Sequence, residues 1–440
     1  MGWLVVVVTC AAVAAVAVAS AARVRPRPPR ELLALYAFVV PFGSGVEFPL
    51  PRGFDNLSSL VGAAVIFGLA LYLVGGRGRA SGLPVVALPW FLLLVWAAMS
   101  VLWSVDVGRS VPLVIALLAV GLLYVTAVHV TADTRFLLWF AAAAAAGGLL
   151  LAANALRLAA TGQIEQVSGQ SSRFASEGGD PNHTAAALLL PLALTLWWSV
   201  DADSASHRMG GRLGALLLLS AIVLTGSRGG LVAAIVALAV IGVTCGRSLA
   251  RRFGVTLLWV ILATAASVLI APPDVQNRLS RPDSTGRSDI WHVGVASCHD
   301  SCWLGSGWGA YGSVYRQEWL SDLALTGNGN KFWAAHNIAL GALVETGVVG
   351  LLLLLAGSFL LIRALLRLPR RVRGAPLAAL ISLLVSAMFV SSLSYKYFWL
   401  TLLFATLVVK VHAAGSRRPE PEAWVEDAPT PSRALSRLGQ

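Results

Sequence analysis

The chain has 440 residues, 57% hydrophobic and 12% charged, with a mean hydropathy of +0.76, so its apolar fraction lies well above that of soluble domains and its charge well below. These values exclude a water-soluble globular enzyme and make the bilayer the solvent of the fold. The net charge of +12 is carried by arginines in short loops between apolar runs, the pattern of positive-inside topology rather than of a nucleic-acid partner.

About 20 apolar residues are needed to cross the hydrocarbon core. Runs of that kind occur at 3–22, 31–49, 57–75, 83–103, 111–131, 136–158, 183–200, 212–226, 230–246, 254–271, 336–362, 375–392 and 398–413. They predict an all-α, polytopic membrane helical bundle of 12–13 transmembrane helices over residues 1–413, with a large extracytoplasmic loop at 272–335 containing short helices. The tail at 414–440, rich in Pro, Glu, Ser and Arg, reads as disordered and cytoplasmic. The first run ends in small residues like a signal peptide. It has no basic residue before it, however, and Arg23, Arg25, Arg27 and Arg30 follow it, so a retained helix with its N-terminus outside is expected.

With the loop at 23–30 inside, strict alternation also places Arg77 and Arg79, Arg135, Arg208 and Arg212, Arg247 with Arg251 and Arg252, and the Arg363–Arg373 group inside. The outer face then receives 104–110, 159–182, the turn at 226–230 and the stretch 272–335, which are the polar, glycine-rich and tryptophan-rich segments. The localisation expected is a multi-pass protein of the cytoplasmic membrane with its site facing outward.

Within RFASEGGDPNHTAAALLLP, Asp180 or Asn182 around Pro181 forms a helix start signal, and Arg173, Glu177 and His183 are exposed polar groups of the same compartment. Asp201-Ala202-Asp203 resembles a metal-binding DxD, but it lies in a short cytoplasmic turn with no parallel-sheet domain around it and is set aside. TGSRGG puts Arg228 between two apolar runs. It is either an arginine snorkelling to lipid headgroups or a phosphate clamp, since the planar guanidinium fork matches phosphate oxygens bidentately. TGRSDIWHVG carries Arg287 and Trp291, and the glycines of LGSGWGAYGSVY read as tight turns in a lid, with Trp303, Trp308, Trp319 and Trp333 as interfacial aromatics. No lysine of a phosphate-binding loop accompanies them. His292, Cys298, His299 and Cys302 fit no common zinc spacing, and an outer location favours a disulfide or free thiols, so neither metal nor cofactor is expected.

In KFWAAHNIALGALVETGVVGLLLLL, His336 and Asn337 stand where extracytoplasmic chain enters a helix. The helix N-terminus and nearby cations depress an imidazole pKa, which keeps the ring neutral and able to accept a proton, as a general base requires. Glu345 lies nine residues further on, about 180° around a helix from His336, so the two are not expected to pair along one face. It is an intramembrane acid that either serves function or is satisfied by a neighbouring helix.

The run His336-Asn337, Leu340, Leu343, Glu345, Gly347 and Gly350-Leu351 is similar to the HNxxLxxLxExGxxGL signature of the O-antigen ligase and polymerase superfamily of bacterial envelope glycan transferases. The LWSVDVGRS loop (Trp103, Ser104, Asp106, Ser110), the DPN helix start, the SRGG turn, the GRxxIW step and the GxGxG lid match in the same order. The resemblance implies a metal-independent, inverting transfer from a polyprenyl-diphosphate-linked glycan donor to a glycan, glycolipid or protein acceptor, outside the cytoplasmic membrane and among its lipids. It also implies His336 as the base for the acceptor hydroxyl and Arg228 and Arg287 as diphosphate-binding residues, with Asn337, Glu345, Arg173, Asp180 and Asn182 in support. Relatives usually have fewer than 13 spans. The rival class is a transporter or flippase of lipid-linked glycans, which would need ionisable residues at several depths of the membrane. Here the spans are nearly uncharged and the polar groups collect at one face.

Overall fold

The apolar runs fold as helices whose starts are set by local capping chemistry. The structure, a computed structural model, describes residues 30–49, 55–74, 83–130, 132–164, 166–167, 171–176, 179–280, 287–298, 302–322 and 333–415. The predicted first span at 3–22 and nearly all of the tail lie outside the described residues, as does Glu177. In chain order the helices are α1 (Arg30–Val39), α2 (Leu57–Val74), α3 (Leu88–Met99), α4 (Val107–Ala127), α5 (Thr134–Ala160), α6 (Pro181–Ala187), α7 (Leu189–Asp201), α8 (Ala205–Leu224), α9 (Arg228–Thr244) and α10 (Arg247–Ile270). There follow three short helices, α11 (Pro273–Ser280), α12 (Arg287–Ala296) and α13 (Tyr311–Asp322), and then α14 (Ile338–Leu366), α15 (Arg370–Ala387) and α16 (Lys396–Gly415). A two-residue antiparallel pair, Gln166–Val167 with Ser171–Ser172, is a small excursion from this all-α bundle.

Among the described residues, eight helices are long and apolar enough to cross a membrane, and Leu57–Tyr72 and Arg228–Thr244 are shorter apolar helices. The chain is therefore a multi-pass membrane protein, with fewer full-length spans among the described residues than the 12–13 predicted for the whole chain, the first of which lies outside them. One reason is visible at 31–49. The helix stops at Val39, because Pro41 and the 3-10 turn Gly43–Gly45 cannot continue it, so the second half of that predicted span is not helical.

Helix starts are marked by side chains that accept the orphan N–H groups of the first turn: Asp106, Asp133, Asp180, Ser204, Ser227 and Asn337. The start of α4, the end of α8, the start of α9 and the start of α14 lie with α11, α12 and α13 at one end of the bundle, joined there by side-chain contacts. Helix α7 is the central post: in the span Pro181–Asp201, 94% of the apolar window is buried inside the protein, against 28% for Ile338–Leu366. Small residues let backbones close on one another, most tightly where Gly147 of α5 meets the Phe38 carbonyl and leaves no room for a Cβ.

The predicted continuous span 336–362 is broken. Gly347 has φ 69° and ψ −172° within α14, a conformation that side-chain-bearing residues rarely adopt. The loop between α12 and α13 threads into the break, its Ser306 and Gly307 N–H groups donating to the Val344 and Glu345 carbonyls at 2.8 and 2.9 Å, and the Cys302 carbonyl accepting from Val348 N at 2.8 Å. Trp96 Nε1 donates to the Thr346 carbonyl at 2.8 Å. Every freed backbone group named here is thus met by protein, the condition under which irregular backbone is tolerated at membrane depth. The loop is closed behind this junction by a Cys298–Cys302 disulfide.

Candidate active site

The LWSVDVGRS motif clamps the lid to the bundle. Asp106 caps α4 through Arg109 N and its Oδ2 accepts from Ser313 Oγ at 2.6 Å, two bonds that hold its carboxyl below the usual carboxylate range. Val105 N donates to the Ser306 carbonyl at 3.0 Å, Arg109 Nε to the Gly309 carbonyl at 3.2 Å, and Trp308 N to Ser100 Oγ at 2.9 Å. Gly305, Gly307 and Gly309 all have positive φ, in line with the tight turns expected. Trp308 is buried rather than interfacial, while Trp303 is 78% exposed.

His336 does not belong to the helix that follows it. Its φ is +46°, which makes it the single positive-φ non-glycine among the described residues, and its N–H donates to Ser391 Oγ at 3.2 Å. Asn337 is the N-cap, its Oδ1 accepting from Ala339 N and Leu340 N at 3.0 and 3.1 Å. From the other side Trp291 Nε1 donates to the Ala335 carbonyl at 3.0 Å, so α12, which begins with Arg287, also pins the residue before His336. The imidazole Nδ1 is buried without a hydrogen-bond partner among the described residues. Burial and then the Arg287 charge push the His336 pKa below its ordinary value, while Asp180 opposes them.

Because His336 lies outside the helix, the helical-wheel separation from Glu345 does not apply, and both line one cavity of about 460 Å³. Arg109, Asp180, His183, Trp308, Trp333 and Tyr395 line it too. Glu345 Oε1 accepts from Tyr311 N at 3.3 Å. His183, expected to be exposed, is buried: its Nδ1 lies 2.8 Å from the Tyr397 hydroxyl, its ring stacks on Tyr395 at 3.6 Å, and its Nε2 is 4.0 Å from Asp180 Oδ2.

Arg173, also expected to be exposed, is buried. Its Nε donates to the Thr225 carbonyl at 2.7 Å and its Nη2 to Asn182 Oδ1 at 3.4 Å, which binds the 173–176 segment to the TGSRGG turn and to the start of α6. Asp180 caps α6, accepting from Asn182 N at 2.7 Å, as the start signal indicated. Burial lowers the Arg173 guanidinium to about 10, aided by Arg278 and Arg287 and opposed by Asp180, so it stays charged at neutral pH. Arg287 is pulled down by burial, then by Arg278 and Arg228, with Asp180 again opposing.

The structure therefore gathers Arg173, Arg228, Arg287, Asp180, Asn182, His336, Asn337 and Glu345 at one end of the bundle. Sequence reasoning missed Arg278, Arg109 and Tyr395, and it named His183 only as an exposed polar group. Arg109 sits inside a motif that was read and could have been taken from it, but nothing local marks Arg278. Among the described residues no three His, Cys, Asp or Glu side chains gather as a metal site.

No curated protein matches the chain in sequence. Residues 213–355 match the family model described as O-Antigen ligase, a stretch that holds Arg228, Arg287, His336, Asn337 and Glu345 and leaves Arg173, Asp180 and Asn182 outside. Over that stretch, 143 of the 440 residues, the chain is similar to the O-antigen ligase family.

Proposed function

We propose that the protein transfers a glycan from a polyprenyl-diphosphate carrier to an acceptor hydroxyl at the outer face of the cytoplasmic membrane, with inversion and without a metal. The observation that carries this reading is that Trp291, one turn after Arg287 on α12, donates its Nε1–H to the Ala335 carbonyl at 3.0 Å and so sets the start of that helix beside His336. A neutral base and a cationic cluster thus meet at one point. His336 removes the proton from the acceptor hydroxyl, whose oxygen bonds to the anomeric carbon from the face opposite the diphosphate. The bond from that carbon to the diphosphate oxygen breaks, and its electron pair stays on the diphosphate, which leaves with one more negative charge. Guanidiniums of Arg228 and Arg287 aimed at that oxygen stabilise the developing charge. The cavity beside His336 has the size of a small-molecule site. Its Trp308, Trp333 and Tyr395 offer apolar faces to an acceptor sugar, with Asp180 and Glu345 as polar partners.

The test is glycan transfer by the purified protein in detergent, using a polyprenyl-diphosphate glycan and an acceptor. With no compartment to cross, a flippase gives no product, whereas the wild type forms the glycosidic bond and His336→Ala slows it by about 100- to 10,000-fold. Full activity of folded His336→Ala would remove the histidine from the mechanism.

A further inference from the structure

The cluster around Arg228 and Arg287 is larger than a diphosphate diester requires. Arg278, on the short helix α11, and Arg173 both pack against Gly226, the residue two before Arg228, where a Cβ would lie 3.5 Å from Arg278 Cδ and 3.3 Å from Arg173 Nε. Arg278 is held there because Val275 of the same helix is buried against Val223 and Ala271. Its Nε is buried, and its charge acts on Arg173 and on Arg287. Four guanidiniums, from the segment before α6, the start of α9, α11 and the start of α12, therefore converge. Among the described residues Asp180 is the carboxylate that acts on Arg173 and Arg287.

We propose that Arg278 is a further diphosphate-binding residue, and that the four-arginine cluster is matched to the released carrier, a diphosphate monoester, rather than to the glycan-linked diester. This rests on the polyprenyl-diphosphate reading above. The diester carries two negative charges and the fully ionised monoester three. The additional charge appears on the oxygen that loses the glycan, so a cation beyond the two that suffice for the donor interacts more strongly as the bond breaks. Only interactions that strengthen in this way accelerate the chemical step. An arginine fork on a phosphate is the strong form of such a contact. The same matching makes the spent carrier a tight product inhibitor.

The experiment measures equilibrium binding to the full-length protein in detergent, using farnesyl diphosphate as the monoester probe and a farnesyl-diphosphate-linked monosaccharide as the diester probe. The wild type is expected to prefer the monoester by about tenfold or more. Arg278→Gln, which keeps the stem packed on Gly226, is expected to lose that preference while diester binding changes by no more than about threefold. A thermal melt confirms that the variant is folded, and Arg278→Lys restores part of the preference. A preference unchanged in folded Arg278→Gln overturns the proposal. Equal binding of the two probes by the wild type overturns it while sparing the polyprenyl-diphosphate reading, and binding of neither probe overturns both.

Discussion

The two ends of the bundle use the same residue type in opposite ways. At the end away from the lid, basic side chains are tied to the protein. Lys410 Nζ donates to the Val128 and Val130 carbonyls at 2.6 and 3.0 Å, Arg208 Nη1 to the Ala202 and Asp203 carbonyls at 2.9 and 2.6 Å, and Arg252 Nη1 to the Val200 and Ala202 carbonyls at 3.3 and 3.4 Å. These carbonyls lie at or just beyond the C-terminal ends of α4 and α7, where helices leave acceptors unmet and the dipole favours a cation. Arg30 pairs with Asp133 at 2.7 Å. At the lid end Arg173 is also tied to a carbonyl, that of Thr225, but here cations gather: after burial, Arg278 and Arg287 lower Arg173, and Arg278 and Arg228 lower Arg287. Positive charge neutralised by its own fold anchors a helix, whereas positive charge gathered against itself is held there by the tertiary structure and suits an anionic ligand.

Substitutions at the two ends should therefore separate activity from stability. The largest effect is expected at the lid end: Arg287→Ala and Arg228→Ala each lower glycan transfer by about 100-fold or more while the protein stays folded. Arg252→Ala, at the other end, leaves transfer within about twofold in the same assay. Equal losses at both ends would erase the distinction. Arg287→Lys keeps the charge but not the fork, and transfer is expected to fall by about tenfold, a smaller loss than with alanine. On stability, Gly347→Ala forces a side chain into the φ 69° break, where the Trp303 carbonyl already crowds it, at a cost of about 1–3 kcal/mol or more, read as a lower melting temperature in detergent. Asp106→Ala removes both a helix cap and the Ser313 tie to the lid, at a cost of about 1–2 kcal/mol, and raises the hydrogen-exchange rate of the lid backbone. The smallest effect is expected from Arg30→Ala. It breaks a half-exposed ion pair with Asp133 worth at most about 1 kcal/mol and leaves transfer unchanged.

Much of this contrast is legible in the sequence because the bilayer imposes it. Apolar runs of sufficient length become helices, and the arginine groups at 208–212, 247–252 and 363–373 fall together at one end by alternation alone. The stretch from His336 to Leu351 supplies His336, Asn337 and Glu345 to the lining of one cavity, although one of its reasons is hidden. Gly347 is needed for a helix break that hydropathy cannot show, since the residues on both sides remain apolar. Hydropathy also cannot show that a single residue in the left-handed region takes His336 off the helix, so that it and Glu345 line one cavity without the helical-wheel relation between them. Arg278 and His183 are illegible for another reason. Arg278 resembles any arginine of a polar loop, and its meaning comes from Val275 docking α11 beside the TGSRGG turn. His183 follows a helix cap as many polar residues do, and its burial depends on Tyr395 and Tyr397, which arrive from the last helix. Convergence of distant segments leaves no local pattern to read.

The central claim is that a neutral His336 accepts a proton under the field of the arginine cluster. The most direct test is the pH dependence of kcat/KM for transfer by the purified protein. The folded-state pKa of His336 is lowered, so the base is competent above it and lost as pH falls through it. The rate should rise to a plateau with an inflection below the ordinary histidine value of about 6.5. Arg287→Gln removes a charge that lowers this pKa, so the inflection of its residual activity should move to higher pH. Asp180→Asn removes the charge that raises it, and the inflection should move lower. A profile that stays in place in both variants, or one that His336→Ala retains, would contradict the account.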